Sequence, residues 1–169
     1  MRMSVETERK FLAANDGWRD LVCKRVPIVQ GYLQADKDRT VRVRTAGEHG
    51  FLTVKGRKIG ASAPEYEYKI PYADARQMLE ELCLPGLILK VRHLIPLVCV
   101  DDGVLVVRPG RFWEVDEFGG KNHGLVVVEL ELLSEAEAIP IPDWLGDDVT
   151  LDGRYANANL VRMPYSEWK

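Results

Sequence analysis

What this chain lacks narrows its reading first. It has three cysteines in 169 residues, Cys23, Cys83 and Cys99. They are odd in number, widely spaced and part of no metal motif, so they read as buried, reduced thiols. His49, His93 and His123 show no ligand spacing either, which argues against zinc and leaves them as structural or surface residues. No apolar run approaches the roughly 20 residues that span a bilayer, and no apolar leader precedes Glu6 and Glu8. These absences lead to the expectation of a cytoplasmic protein without a membrane partner. A basic excess is missing too. The net charge of -3 offers no whole-molecule attraction to nucleic acid, so any anion site must be local. Low-complexity segments and internal repeats are absent, which leaves residues 1-169 as one domain.

What is present is an ordinary globular composition, 46% hydrophobic and 29% charged, cut by frequent turn signals. The runs between turns are short and read as strands: 5–12, 29–35, 40–46, 51–55, 65–71, 87–100 with a bend at Pro96, 104–108, 112–118 and 124–133. Asp101-Asp102-Gly103 reads as a tight turn, and Pro109-Gly110 divides two strands. Helices are few. Residues 18–26 read as a short helix or loop over an apolar surface. Asp74 is expected to cap a helix ending near Cys83, with Ala75, Met78, Leu79 and Leu82 at helical spacing. Ser134 is expected to cap another through Ala138. Residues 154–163 read as helical, and 144–151 are ambiguous. The class is mainly β, with antiparallel pairing.

Charged residues recur two apart along these strands, and alternation puts each pair on one face. The cations so placed are Lys10, Arg42, Arg44, Lys55, Lys69, Lys90 and Arg92. The anions are Glu6, Glu8, Glu65, Glu67, Glu114, Asp116, Glu129 and Glu131. Any single row could be the solvated face of an open sheet. Nearly every strand has one, however, and a wholly wet face would demand a large apolar cover that so few helices cannot supply. A closed barrel answers this by turning the rows into a lumen. The apolar outer wall would then be covered by the helices and by a second copy in a homodimer.

So many enclosed charges are costly and mark a site rather than a stability device. The two sets nearly cancel. Divalent metal on the carboxylates would leave the lumen positive and suited to a triphosphate, gripped by arginine forks and lysine point charges. An all-oxygen site that also takes phosphate ligands suits Mg²⁺ or Mn²⁺.

The ordered series Glu6-x-Glu8-x-Lys10, Gln30-Gly31-Tyr32-Leu33, Arg42-x-Arg44, Thr53-x-Lys55, Glu65-x-Glu67-x-Lys69, Lys90-x-Arg92, Glu114-x-Asp116 and Glu129-x-Glu131 resembles the CYTH superfamily, the triphosphate tunnel metalloenzymes. The ending Asp148-Val149-Thr150 to Arg154-Tyr155-x-Asn157 looks like that of its small bacterial members. The resemblance implies an eight-stranded antiparallel tunnel with a few peripheral helices. It implies metal-dependent hydrolysis of a small-molecule triphosphate, most often inorganic triphosphate. By motif, Glu6, Glu8, Glu129 and Glu131 hold metal, and Arg42, Arg44, Lys55, Lys69, Lys90 and Arg92 bind phosphates. Glu117 departs from the pattern on the outer parity, and the basic, glycine-rich loop 56–64 is assigned no role.

For the chemistry, Lys10 is expected to sit among cations that lower its pKa, so that it assists in deprotonating a water oriented by Tyr32. The plainer readings are phosphate binding for Lys10 and barrel packing for Tyr32. Thiamine triphosphatase, nucleoside triphosphatase and adenylate cyclase activities share the phosphate site and stay open at this stage. A non-hydrolytic polyphosphate or nucleotide binder is the alternative of another class.

Overall fold

The computed structural model describes residues 5–168. In chain order the elements are β1 (Val5–Ala13), β2 (Lys24–Ala35), β3 (Arg39–Ala46), β4 (His49–Gly56), β5 (Ser62–Ile70), α1 (Tyr72–Glu81), β6 (Ile88–Asp101), β7 (Val104–Phe118), β8 (Val126–Glu131), β9 (Leu145–Asp148) and α2 (Asn157–Arg162). Eight strands form a closed antiparallel barrel in the order β5-β4-β3-β2-β6-β7-β8-β1, with β1 returning to β5. Closure depends on β1 dividing its length between neighbours. Val5, Glu6 and Thr7 stand opposite Pro64, Ala63 and Ser62, whereas Glu8 through Leu12 pair with β8. The ring therefore leaves no long free edge. β9 adds to β1 through Phe11 and Ala13.

Parity then sorts the side chains. On the outer face Phe11, Ile95, Leu97, Trp113, Val115, Val128 and Leu130 pack with Trp18, Trp144 and Leu145 as the main apolar cluster. Trp18 is carried by a 3-10 turn over Asp16–Leu21, begun by Asn15, whose side chain accepts from the Gly17 N–H at 2.8 Å. α1 covers Val43 and Leu52 with Ala75 and Leu79. The core of this protein is thus the outside of its barrel wall. One end of the inside is apolar as well. Leu160 of α2 packs with Ile88, Phe118, Leu125 and Val127, and Leu12 lies against them. Burying a leucine this completely contributes about 2 kcal/mol, and it gives the tunnel a floor.

Several local expectations are corrected. Lys24–Val26 are strand, because they pair with Leu94–Arg92 of β6; the helical turn before them ends at Leu21. The two strands expected around Pro109-Gly110 are one. The β6–β7 register slips between Pro96 and Val98, and Gly110 at φ 71 absorbs the extra residues as a bulge, a position that tolerates proline. α1 begins after Pro71 without a side-chain cap. Asp74 lies inside its first turn, where a carboxylate still complements the helix dipole, and Leu82 is exposed. Residues 134–138 are not helical, because the Glu137 carboxylate takes the Leu133 N–H and the Arg111 guanidinium instead. Residues 154–163 split into a 3-10 turn over Gly153–Tyr155 and then α2. The cysteines are free as expected, but none is buried: Cys23 is exposed, and Cys83 and Cys99 are half-buried. The Asp102-Gly103 turn takes positive φ at both positions, 48 and 79, as a two-residue hairpin requires. Among the described residues no helix is long and apolar enough to cross a membrane.

Candidate active site

The inner rows converge on one cavity of about 600 Å³ above the α2 floor. Lining it are Glu6, Glu8, Lys10, Tyr32, Arg42, Arg44, Lys55, Glu65, Glu67, Lys90, Arg92, Glu114, Glu129 and Glu131. Two expected members lie elsewhere. Lys69 has the right parity but sits beyond the rim, exposed and opposite Phe51. Asp116 shares the inner face but is fully buried beneath Lys90 and Arg92, short of the cavity surface. Glu117, on the outer parity, meets Arg19 at 2.9 Å and His93 at 3.2 Å outside the barrel.

One side of the cavity is built by β3, β4 and β5. Arg42 reaches Glu65 at 3.4 Å and Arg44 reaches Glu67 at 3.1 Å, across the intervening β4. Thr53 of β4 donates to Glu67 at 2.9 Å. The Nε atoms of Arg42 and Arg44 are buried and find no acceptor among the described residues. Burial, reinforced by the neighbouring Arg42, pushes the Arg44 guanidinium below its ordinary value, while Glu67 opposes. Lys55 links this wall to β1, bonded to Glu6 and lying 2.8 Å from Glu65 and 4.0 Å from Glu8.

The opposite side is more tightly paired. Asp116 accepts from Lys90 and, in a fork, from Arg92 Nε at 2.7 Å and Nη2 at 2.6 Å. Arg92 also donates to Glu114 and, at 2.6 Å, to Glu129. Burial depresses the Lys90 ammonium in spite of Asp116. Glu129 holds Lys10 with its other oxygen. Burial alone would raise the Glu129 carboxyl, but Lys10, Arg92 and Lys90 outweigh it and hold it well below the usual range. Its oxygens thus anchor two cations.

Lys10 does not behave as expected. Its neighbours are carboxylates, Glu129 and, at 3.2 Å, Glu8. Burial would depress its pKa, yet the two acids raise it above the ordinary lysine value, which favours the ammonium over the neutral amine a base would need. The Tyr32 hydroxyl is partnered by Gln30 at 3.1 Å, and burial raises its pKa.

Residues outside the motif series also line the cavity. Lys37 comes from the β2–β3 turn, Arg39 and Thr40 from the start of β3, Asn157 from the start of α2, and Lys58 from the loop after β4. Burial pushes the Lys58 ammonium down. The basic character of loop 56–64 is the sequence signal for Lys58; strand parity says nothing about loops.

A divalent cation suits the remaining acids. Burial raises the Glu131 carboxyl, and Glu6 and Glu8 raise it further, while Arg111 opposes. Burial and the neighbouring Glu65 carboxyl raise Glu6, while Lys55 opposes. These carboxylates crowd one another at one place, which a cation relieves. Among the described residues no group of three or more His, Cys, Asp or Glu is arranged to hold a metal ion by itself. Mg²⁺ fits such a site because it characteristically takes one or two carboxylates together with waters and substrate phosphates.

Comparison with known proteins gives a consistent picture. The CYTH domain family profile matches residues 4–155. The inorganic triphosphatase of Acetivibrio thermocellus is 44% identical over 167 residues, covering 99% of both chains. That of Nitrosomonas europaea is 36% identical over 160 residues, covering 93% of this chain and 97% of the relative. A solved crystal structure of an inorganic triphosphatase superposes with a TM-score of 0.61 at 32% identity, covering 95% of this chain and 97% of the other.

Proposed function

This chain belongs to the CYTH domain family, and from that premise we propose that it hydrolyses inorganic triphosphate to pyrophosphate and phosphate with Mg²⁺ or Mn²⁺. The observation that carries the reading is the pair of buried Nε donors on Arg42 and Arg44 without an acceptor among the described residues. A buried guanidinium N–H left unmade is costly, and a phosphate oxygen supplies the missing partner at low cost.

In the reaction a water oxygen bonds to the terminal phosphorus while the bridging P–O bond breaks, pyrophosphate leaves, and the water's proton passes to a phosphate oxygen or to solvent. Positioning and charge stabilisation are the main demands on the protein. Arg42 and Arg44 fork onto phosphate oxygens, releasing Glu65 and Glu67. Lys55 and Lys90 act as point charges on either wall. Arg92 is held rigid by Asp116 and so costs little reorganisation when charge develops. Lys10 stays an ammonium and neutralises the oxygen that leaves with pyrophosphate. Tyr32, oriented by Gln30, donates its hydroxyl hydrogen to the substrate. Glu6, Glu8 and Glu131 hold the metal, and Glu129 sets Lys10 and Arg92. When bound, the cation supplies positive charge against the phosphate oxygens and eases deprotonation of a water. Metal dependence is general in the family, and the choice of Mg²⁺ or Mn²⁺ follows from the all-oxygen donors.

The test is orthophosphate and pyrophosphate release from inorganic triphosphate with each metal. Equal amounts of the two products are expected. The double variant Arg42→Met, Arg44→Met should lose about 10²-fold or more in kcat/KM. Retention within a factor of two by a folded double variant would overturn the reading.

A further inference from the structure

After β8 the chain leaves the barrel and runs outside it before β9. Its first residues are pinned at two points, the first on the main chain at the end of β8 and the second through side chains beside Glu6 and Glu8. At the first, Arg111 of β7 bonds both Glu137 oxygens, one of them from Nη2 at 3.1 Å. The same Nη2 donates to the main-chain carbonyl of Glu131 at 2.7 Å. Glu137 in turn accepts the Leu133 N–H at 2.6 Å. One ion pair therefore clasps the backbone on both sides of Leu132, where β8 ends with Glu131.

The second pin lies at the barrel seam. Ser62 Oγ donates to Glu135 at 3.0 Å and stands 2.7 Å from Thr7 Oγ1. Thr7 separates Glu6 from Glu8, and its carbonyl accepts the Leu132 N–H at 2.7 Å.

Neither Arg111 nor Glu137 lines the cavity, so neither can touch substrate there. Both are only about a fifth exposed, 20% and 19% for their side chains, which makes the bidentate pair stiffer than an ordinary surface bridge. The need for stiffness is local. Glu8 and Glu131 are direct partners in the β1–β8 register, and like charges so placed push a strand end apart. Glu131 is the terminal residue of β8, where pairing is weakest.

We propose that Arg111 and Glu137 are positioning residues for the metal-binding acids, holding the end of β8 so that Glu131 stays beside Glu6 and Glu8. The proposal rests on the reading above that these three carboxylates bind a divalent cation.

The experiment is Mn²⁺ titration of the full chain, followed by the electron paramagnetic resonance signal of free Mn²⁺. Arg111→Met and Glu137→Gln should weaken Mn²⁺ binding about tenfold or more, as loss of a supporting partner around metal ligands does. The Mg²⁺ concentration for half-maximal activity should rise in parallel, while KM for triphosphate at saturating metal stays within about a factor of two. Arg111→Lys, which keeps the charge but not the second donor, should fall between. Glu131→Gln is the control. If it weakens Mn²⁺ binding and the other two do not, the positioning role is overturned and the metal site stands. If Glu131→Gln itself binds as tightly as the unaltered chain, the metal reading falls and the proposal with it. Should Arg111→Met fail to fold, Glu137→Gln decides alone, since it keeps the side chain's size. A lowered melting temperature with unaltered Mn²⁺ affinity counts against the proposal.

Discussion

Glu8 and Glu131 stand directly opposite each other in the antiparallel pairing of β1 with β8. Two like charges in that relation weaken the ladder, so the arrangement subtracts stability from the metal-free protein. The Glu131 carboxyl is raised by burial, Glu6 and Glu8. A raised carboxyl means the folded chain holds a proton that the unfolded chain has released. Stability therefore falls as pH rises through that range. Glu131→Gln should accordingly melt at a higher temperature than the unaltered, metal-free chain above about pH 5, and the difference should vanish below about pH 4. The same variant should lose triphosphate hydrolysis, which separates a functional strain from a folding requirement. Differential scanning calorimetry across pH, with chelator present, measures the first effect.

Lys10 offers a second test, because its acidic neighbours keep it charged. A fixed ammonium contributes charge, and charge survives replacement by arginine. Lys10→Arg should keep kcat within about tenfold, whereas Lys10→Met should lose about 10²-fold. The kcat of the unaltered enzyme should show no rise with pH attributable to a lysine losing its proton between about pH 7 and 10. A steep rise that disappears in Lys10→Arg would restore the general-base role.

These two cases show what a sequence makes legible. Strand parity is readable because alternation is strict, so Glu6, Glu8, Lys10, Arg42, Arg44, Arg92, Glu129 and Glu131 all face one cavity as their spacing implies. Parity does not say where a strand passes the rim, which is why Lys69 shares the face of Glu67 and still lies outside. Nor does it give depth: Asp116 has the parity of Glu114 but sits behind Arg92 as its support. The sign of the Lys10 shift depends on which charges are nearest, and Glu129 comes opposite Lys10 only through the register of β1 with β8. The α2 floor and the contribution of Lys58 come from segments with no strand period to read.

Asp116 yields the largest expected effect on stability. It is fully buried and balances Lys90 and Arg92 together. Removing one partner of a buried set leaves charge uncompensated, at a cost of about 3–5 kcal/mol. Asp116→Asn should approach that loss near pH 7 in a denaturant titration. Burial raises the Asp116 carboxyl, but Arg92 and Lys90 outweigh it and hold the folded pKa below the ordinary value of 3.8. Its stabilising contribution is therefore complete above that value and declines as pH falls through the folded pKa. The gap between the unaltered chain and Asp116→Asn should narrow below about pH 4.

Gly31 tests how Tyr32 is seated. A Cβ built at this position would lie 2.5 Å from Cys83 Sγ, 3.0 Å from Cys83 Cβ and 2.9 Å from Leu87 Cδ2. The segment after α1 thus lies directly on the β2 backbone, and the Leu84 N–H donates to the Tyr32 carbonyl at 2.8 Å. An added methyl has to push that segment off the strand. Gly31→Ala should cost about 1–3 kcal/mol by overpacking, and it should raise KM for triphosphate by shifting the Tyr32 ring. Cys83→Ala removes the Sγ and should recover part of the loss, so the double variant should be more stable than the two single effects sum to, by about 1 kcal/mol. Additive losses in urea titrations of the four proteins would mean that the strand, and not the Cys83 segment, yields.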